Sequence, residues 1–217
     1  MKIVAVVPIK LNSERLENKN IMPFDNGKPL CSYILETLLK VSEIDEVYVY
    51  CSNDDIKKYI PETVKYLKRS ETLDQNTTKI NEVLLAFAHD VEADIYLMTH
   101  TTAPFVKKES IKKGLQAVLT KEYDSSFAAK SLQEFMWKDN KPFNYDLENI
   151  PRTQDIAPFL CETSGFYIYN RDTILKKKRR IGDKPYIVEV SGIETVDIDE
   201  KEDFDIANAI YNFIIKE

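Results

Sequence analysis

Apolar stretches of strand length alternate with stretches of helical period along most of the chain. The first is a nearly continuous apolar run, as expected for a strand buried on both faces. The strand-like stretches are 2–8, 45–51, 64–67, 94–98, 124–129, 164–169 and 186–196, and the helical ones are 29–40, 78–90, 109–119 and 200–215. This alternation requires crossover connections, so it predicts an α/β fold with a mostly parallel sheet flanked by helices.

The alternation stops between about residues 131 and 163. This segment, the excursion, carries Trp137, Phe143, Tyr145 and several prolines without a sustained period. Roughly thirty irregular residues in a compact domain usually serve function or an interface, and exposed aromatic residues favour an interface. We therefore predict a single domain over 1–217 with a protruding excursion over 131–163.

A basic loop follows the first strand directly. Lys10, Arg15 and Lys19 lie within ten residues, among hydroxyl and amide donors. Such a loop leaves the carboxyl edge of the sheet, where open α/β folds bind ligands, and this chemistry suits a polyphosphate. Neither common glycine-rich phosphate motif is present, so phosphate must be held by side chains and a few backbone N–H groups. The alternative is an ordinary solvated loop.

Two acidic residues, Asp197 and Asp199, precede the last helix. On a strand, alternate residues share one face, so the two carboxylates would lie side by side. A hard divalent cation such as Mg²⁺ relieves the resulting repulsion. The alternative is that Asp199 only caps the helix, with Glu202 in a capping box.

Further polar candidates lie after later strands and in the excursion. Arg152 could bind a carboxylate, and Gln154 and Glu162 could bind hydroxyl groups. His100 follows a strand end and would face the same edge, although a lone histidine there is more often a hydrogen-bonding loop residue than a base. Arg69 follows the third strand and is ambiguous in the same way.

Composition narrows the class of protein. A hydrophobic fraction of 43% and a charged fraction of 30% are typical of a soluble globular domain, and the net charge of −6 argues against a nucleic-acid partner. The three cysteines form no C-x-x-C pair, which favours a reducing cytoplasm over zinc or disulfides. No apolar run approaches a membrane span, and the sequence opens with a strand-like stretch, so we do not expect secretion. The basic run 176–180 is predicted to be a solvated helix end.

The order of these motifs resembles that of the cytidylyltransferases that activate acidic sugars. The match is to the acylneuraminate group, with features of the CMP-Kdo synthetases. Ser13, Leu16, Lys19 and Asn20 match the basic signature of that family, Lys10 stands where arginine is usual, and Arg15 matches the Kdo branch. The ending Asp197-x-Asp199-x-x-Glu202-Asp203-Phe204-x-x-Ala207 is similar to the family's D-x-D-x-x-E-D-F-x-x-A.

Weaker matches fill the middle of the chain. They are Arg69 with Leu73, the segment 101–104, Arg152-x-Gln154-Asp155 and the segment 164–168. The resemblance implies a Rossmann-like nucleotidyltransferase fold, CTP as one substrate, an acidic sugar as the other, Mg²⁺ as cofactor and a homodimer held by the excursion.

The resemblance also implies residue roles. Catalysis would fall to Lys10, Arg15, Lys19 and Asp199, and the metal to Asp197 and Asp199. The sugar would meet His100, Arg152, Gln154 and Glu162, with either the same or a neighbouring subunit supplying Arg152 and Gln154. The nucleotide would meet Pro8, Lys10, Leu11, Asn12, Ser13, Lys19, Asn20, Arg69 and Thr102.

Three departures from the family pattern leave alternatives open. Lys10 replaces an arginine, Asn76 stands where aspartate is common, and Ser164 replaces an asparagine. The acceptor could therefore be another small phosphate or phosphonate compound, or the protein could bind a nucleotide without catalysis.

Overall fold

A computed structural model describes residues 1–13 and 15–215 of the chain. The strands are β1 (Ile3–Pro8), β2 (Glu46–Cys51), β3 (Lys65–Lys68), β4 (Ile95–Thr99), β5 (Ser125–Leu132), β6 (Trp137–Lys138), β7 (Lys141–Pro142), β8 (Phe159–Asn170) and β9 (Pro185–Glu189). The α-helices are α1 (Leu30–Leu39), α2 (Ile80–Asp90), α3 (Lys108–Leu119), α4 (Arg171–Lys177) and α5 (Lys201–Ile210). The predicted α/β class is confirmed.

The main sheet has seven strands in the order β3-β2-β1-β4-β8-β5-β9. All pairs are parallel except those of β8, which runs antiparallel between β4 and β5. The chain leaves β1 towards β2 and β3, then returns to pair β4 with the other side of β1. The strand order therefore reverses between β1 and β4, and a crevice opens there at the carboxyl edge of the sheet, where such folds place ligands.

Alternation along β1 explains how the sheet is covered on both faces. Ile3, Ala5 and Val7 belong to the apolar cluster formed with α1 and α3, whereas Val4 and Val6 belong to the cluster formed with α2 and α4. The five apolar residues from Ile3 to Val7 are buried because both faces are packed. This accounts for the unbroken apolar run in the sequence.

A third apolar cluster seats α5 beside the carboxyl edge. Phe204 and Ala207 of α5 pack with Phe24, Phe105 and Ile198. Phe24 and Phe204 meet edge to face, with ring centroids 5.1 Å apart. The C-terminal helix is thus fixed next to the crevice and carries the acidic segment that precedes it.

The excursion is shorter and more ordered than predicted. Strand β5 continues to Leu132 and β8 begins at Phe159, so the irregular part lies between them. Within it, β6 and β7 form a small hairpin whose turn residues, Asp139 and Asn140, both have positive φ. This backbone matches a tight two-residue turn, for which aspartate and asparagine are suited.

Four local predictions were wrong. The segment around Asp197 and Asp199 is extended but lies outside the named strands, and β9 stops at Glu189. Helix α5 ends at Ile210, where a π-helical turn over Tyr211–Ile215 takes over. The basic run is not one helix end, because α4 stops at Lys177.

In the part of the chain that the structure describes, no helix combines the length and the apolar composition needed to cross a bilayer.

Candidate active site

Cations of the loop after β1 meet the acidic segment before α5 at the crevice. Arg15 Nη2 lies 2.6 Å from Asp199 Oδ1, and Lys19 Nζ lies 3.3 Å from the same oxygen. Lys19 is buried, and its ammonium also donates to the carbonyl oxygen of Ile198 at 2.6 Å. Residues about 180 positions apart in the chain therefore share one charged cluster.

The loop is held in place by the buried side chain of Asn20. Asn20 Nδ2 donates to the carbonyl oxygen of Lys10 at 2.6 Å, and its Oδ1 accepts a hydrogen bond from the Thr101 hydroxyl. These contacts join the loop after β1 to the segment after β4. The buried side chain of Asn20 is therefore hydrogen-bonded through both its nitrogen and its oxygen, and it supports the loop.

The acidic segment is fixed from both sides. Ile198 is fully buried, and its N–H donates to the carbonyl oxygen of Thr102 at 2.9 Å. Asp203 accepts hydrogen bonds from the N–H groups of Glu200 and Asp199, each at 2.9 Å, and these bonds lower the pKa of its carboxyl group. The side chains of Asp197 and Asp199, which flank Ile198, consequently lie at the surface of the crevice.

The predicted cap of the last helix differs in detail. Glu200, not Asp199, is the N-cap residue, and the capping box is completed by Asp203, not Glu202. The Asp199 carboxylate is therefore not used by the helix and faces the cations. Asp197, two residues earlier, instead accepts a hydrogen bond from the Ser164 hydroxyl at 2.5 Å.

A cleft of about 650 Å³ lies between the loop after β1 and the ends of β2 and β3. Leu11 and Asn12 line it from the loop, and Ser13 lines a smaller neighbouring cleft. Its opposite wall is polar and largely acidic, formed by Ser52, Asn53, Asp54, Asp55, Lys68, Glu71 and Asp74. Pro8 ends β1 at its base.

Two other nucleotide-site candidates are already bonded within the chain. Arg69 is buried, with Nε and Nη2 donating to Asp74 Oδ1 at 3.0 and 2.5 Å. Lys10 Nζ donates to Asn76 Oδ1 at 2.7 Å. Arg69 thus holds one wall of the cleft through Asp74, while Lys10 reaches from the loop towards the segment before α2.

His100 lies at the end of β4, among the charged residues. Burial lowers the pKa of its imidazole to about 4, and the nearby Arg180 guanidinium adds to this effect. His100 is therefore neutral near pH 7, and its imidazole can donate one hydrogen bond and accept another without contributing charge.

Sequence reasoning missed Arg180. Lys178 follows α4 with a φ of 56°, and Arg180, two residues on, packs with its guanidinium carbon 3.6 Å from the ring centroid of Tyr167. The reading of 176–180 as a solvated end is wrong for this residue. The run of basic residues hides it, because nothing in the local sequence separates Arg180 from its exposed neighbours.

The sugar-site candidates are only partly brought together. Glu162 accepts a hydrogen bond from the Tyr167 hydroxyl at 2.8 Å and lies 3.7 Å from Arg180 Nη2. Arg152 is exposed and bound by two hydrogen bonds to Asp155, at 2.8 and 2.9 Å. Within residues 1–13 and 15–215, no hydrogen bond or ion pair links Arg152 or Gln154 to the crevice.

The acidic pair suits Mg²⁺ only in combination with another ligand. In the described residues, no group of three or more histidine, cysteine or carboxylate side chains is arranged to hold a metal. Mg²⁺, however, is commonly bound through one or two carboxylates together with substrate phosphates and water. Asp197 and Asp199 supply those two carboxylates next to the cations, so the donor set fits the ion.

Comparison with known proteins identifies the family. A sequence model of the Cytidylyltransferase family matches residues 4–214. The chain is 28% identical over 216 residues to N-acylneuraminate cytidylyltransferase of Oncorhynchus mykiss, covering 94% of this chain but 49% of that protein. It is 23% identical to pseudaminic acid cytidylyltransferase of Campylobacter jejuni, covering 97% of each.

A solved structure supports the fold. CMP:2-keto-3-deoxy-manno-octonic acid synthetase, complexed with CTP, has a TM-score of 0.75 at 17% identity and covers 98% of this chain and 99% of its own. The chain spans about half the length of the trout relative. Because the family model matches nearly all of the sequence and the fold agrees, the chain belongs to the cytidylyltransferase family.

Proposed function

We propose that this protein transfers CMP from CTP to a hydroxyl group of an acidic sugar and releases pyrophosphate. The single observation that carries the proposal is the cluster of Arg15, Lys19 and Asp199 at the reversal of strand order. Cations that suit phosphate and a carboxylate that suits a metal lie together in this cluster, which supports the proposal. The names of the relatives in the family supply the nucleotide and the class of acceptor.

The triphosphate is assigned to the loop after β1. Lys10, Arg15 and Lys19 provide the positive charge, and Ser13 with backbone N–H groups provides neutral donors. The cytidine is assigned to the cleft between that loop and the ends of β2 and β3, where Leu11 and Asn12 form one wall. Arg69 acts indirectly, since it positions Asp74 in the other wall.

Asp197 and Asp199 are assigned to Mg²⁺. The ion, when bound with CTP, would neutralise phosphate charge that develops as pyrophosphate departs. In the structure described here, Arg15 and Lys19 form ion pairs with Asp199. Incoming phosphates would offer these cations an alternative anionic partner. Asp199 would then be available as a ligand for the metal.

The reaction needs no covalent intermediate on the protein. The acceptor hydroxyl oxygen bonds to the α-phosphorus of CTP, the bond from that phosphorus to the bridging oxygen breaks, and pyrophosphate leaves with the electron pair. The products are a CMP-sugar, pyrophosphate and the hydroxyl proton. Catalysis therefore consists of positioning and charge stabilisation by the loop cations.

The acceptor side is assigned to the region of His100 and Glu162, at the ends of β4 and β8. Arg152 and Gln154 are assigned to the acceptor site of a second copy in a homodimer. Trp137 and Phe143 support this role of the excursion, because they are 57% and 54% exposed in one chain. We place the protein in the cytoplasm, where CTP is available.

A pyrophosphate-release assay tests the function. The purified protein is supplied with CTP and Mg²⁺ and, in turn, with N-acetylneuraminic acid, pseudaminic acid, 3-deoxy-manno-octulosonic acid and a phosphorylated sugar. We expect release with one of the three acids and none without acceptor. Release with the phosphorylated sugar alone would replace the acceptor class. CTP binding by calorimetry without release from any acceptor would favour a non-catalytic protein.

A further inference from the structure

We propose that Arg180 binds the carboxylate of the acidic acceptor and thereby selects acids over their neutral derivatives. This rests on the proposed function and adds a specificity-determining residue to it. Three features of the Arg180 guanidinium carry the inference: its fixed position, its unused hydrogen-bond donors and its place beside the crevice.

The position is fixed by an aromatic ring. The guanidinium carbon of Arg180 lies 3.6 Å from the centroid of Tyr167, within the range of a cation–π contact. Tyr167 is itself buried, and its hydroxyl group donates to Glu162 Oε2 at 2.8 Å. A guanidinium placed on a ring face keeps its edge, where the N–H donors lie, available for a planar partner such as a carboxylate.

The N–H donors of this guanidinium have no hydrogen-bond partner among the residues described, although the side chain is only 21% exposed. The nearest anionic atom among the same residues is Glu162 Oε2, 3.7 Å from Nη2, which is too long for a hydrogen bond. A largely desolvated cation with free donors favours a bidentate anion, because the anion restores the hydrogen bonds that burial removed.

The place of Arg180 is on the acceptor side of the crevice. The charges of Arg180 and Lys19 help to lower the pKa of His100, and that of Asp197 opposes them, so these groups share one environment. Arg180 stands on Tyr167 of β8, which pairs with Met98, two residues before His100. The loop cations Lys10 and Arg15 are bonded to other partners, Asn76 and Asp199. Arg180 is therefore a cation separate from the proposed triphosphate contacts.

The preceding residue provides a matched control. Arg179 has the same side chain but is paired with Asp183 at the surface, where it is 44% exposed. It lies outside the proposed catalytic and binding groups. Arg179→Gln and Arg180→Gln thus make the same chemical change one position apart.

The experiment compares an acid with its ester. Pyrophosphate release is measured for the wild type, Arg180→Gln, Arg180→Lys and Arg179→Gln, with whichever of the three acids supports turnover and with its methyl ester. For Arg180→Gln we expect the KM for the acid to rise about tenfold to a hundredfold, the KM for CTP to stay within about twofold, and the preference for acid over ester to collapse. Arg180→Lys keeps the positive charge but not the paired N–H donors of the guanidinium, so it should lose less of the preference for acid over ester. Arg179→Gln should match the wild type.

The results separate this inference from the proposed function. An active wild type, with Arg180→Gln and Arg180→Lys both retaining the full preference for acid over ester, overturns the role of Arg180 and leaves the transferase intact. A wild type that releases no pyrophosphate with any acid overturns both. A rise in the KM for CTP equal to that for the acid would assign Arg180 to the nucleotide and also contradict the inference.

Discussion

The crevice and the excursion both carry candidate functional side chains, but these side chains are held in opposite ways. In the crevice, Lys19 and Asn20 are buried and bonded to residues far away in the chain, such as Ile198 and Thr101. In the excursion, Arg152 is bonded to Asp155 only three positions away. The crevice is therefore preorganised within one chain.

The excursion keeps its apolar side chains outside the core. Phe135 and Tyr145 make a local tilted contact, with ring centroids 4.6 Å apart, and the rings of Phe143 and Phe159 are 5.6 Å apart. Phe135, Trp137, Phe143, Leu147, Ile150 and Leu160 are nevertheless exposed. We propose that one chain assembles the charged cluster of the crevice, whereas a second copy covers the exposed surface of the excursion.

The largest expected effect comes from Asp199→Ala, which removes the carboxylate shared by both cations. We expect kcat for pyrophosphate release to fall about a thousandfold, because Mg²⁺ would lose a carboxylate ligand and would neutralise phosphate charge less well. Stability should fall by less than about 1 kcal/mol, since the Asp199 side chain is partly exposed and Lys19 keeps its hydrogen bond to the Ile198 carbonyl oxygen. Asp205→Ala, which breaks an exposed pair with Lys201 on α5, is the control. Normal turnover by Asp199→Ala would remove the metal assignment.

Lys19→Met should give the next largest effect. The substitution keeps the apolar stem and removes the buried ammonium, so kcat/KM for CTP should fall about a hundredfold. Steady-state kinetics with varied CTP measures this change. Lys28→Met, at a surface pair with Glu36, should leave the CTP dependence unaltered. An unchanged CTP dependence in Lys19→Met would disqualify the loop as the triphosphate site.

His100 should make stability depend on pH. Its pKa is about 4 in the folded chain against about 6.5 when unfolded, so between these values the unfolded chain binds the extra proton. Stability therefore falls as the pH drops through this window, by about 2 kcal/mol between about pH 7.5 and pH 5. Denaturant unfolding at several pH values should show a weaker dependence in His100→Gln. If the free energy of unfolding depended equally on pH in the two proteins, folding would not lower the pKa of the imidazole.

The smallest predicted effect concerns association. Trp137→Ala should weaken the homodimer about tenfold, because a large exposed aromatic side chain would be lost from its interface. Sedimentation or light scattering over a dilution series measures the dissociation constant. Phe213→Ala, which is exposed in the π-helical turn, is the control. A wild type that is monomeric at micromolar concentration would contradict the proposal that a second copy covers the excursion.

Sequence patterns predicted the sheet well because its strands are buried on both faces. The run Ile3–Val7 and the alternating helices left few other arrangements. Motif order also predicted that Lys19 and Asp199 belong to one site, and the structure brings them together. Whether they bind CTP stays a prediction.

Other features could not be predicted because they depend on tertiary contacts. Arg180 and Arg179 are identical in sequence terms, and only the backbone turn after α4 gives one of them the Tyr167 ring. The sequence left capping by Asp199 as an alternative to metal binding, whereas in the structure Glu200 caps α5 and Ile198 packs into the apolar cluster. In each case, the role of a residue depends on contacts that its neighbours in the sequence do not reveal.

Ile198 also limits how the length of this segment can change. Its side chain is anchored in the apolar cluster below the crevice, with Asp197 and Asp199 on either side facing outward. In an extended backbone, inserting or deleting one residue exchanges inward and outward positions. Such a change would drive a carboxylate into the cluster and expose an isoleucine. The linker between β9 and α5 should therefore tolerate substitutions at its surface far better than it tolerates insertions or deletions.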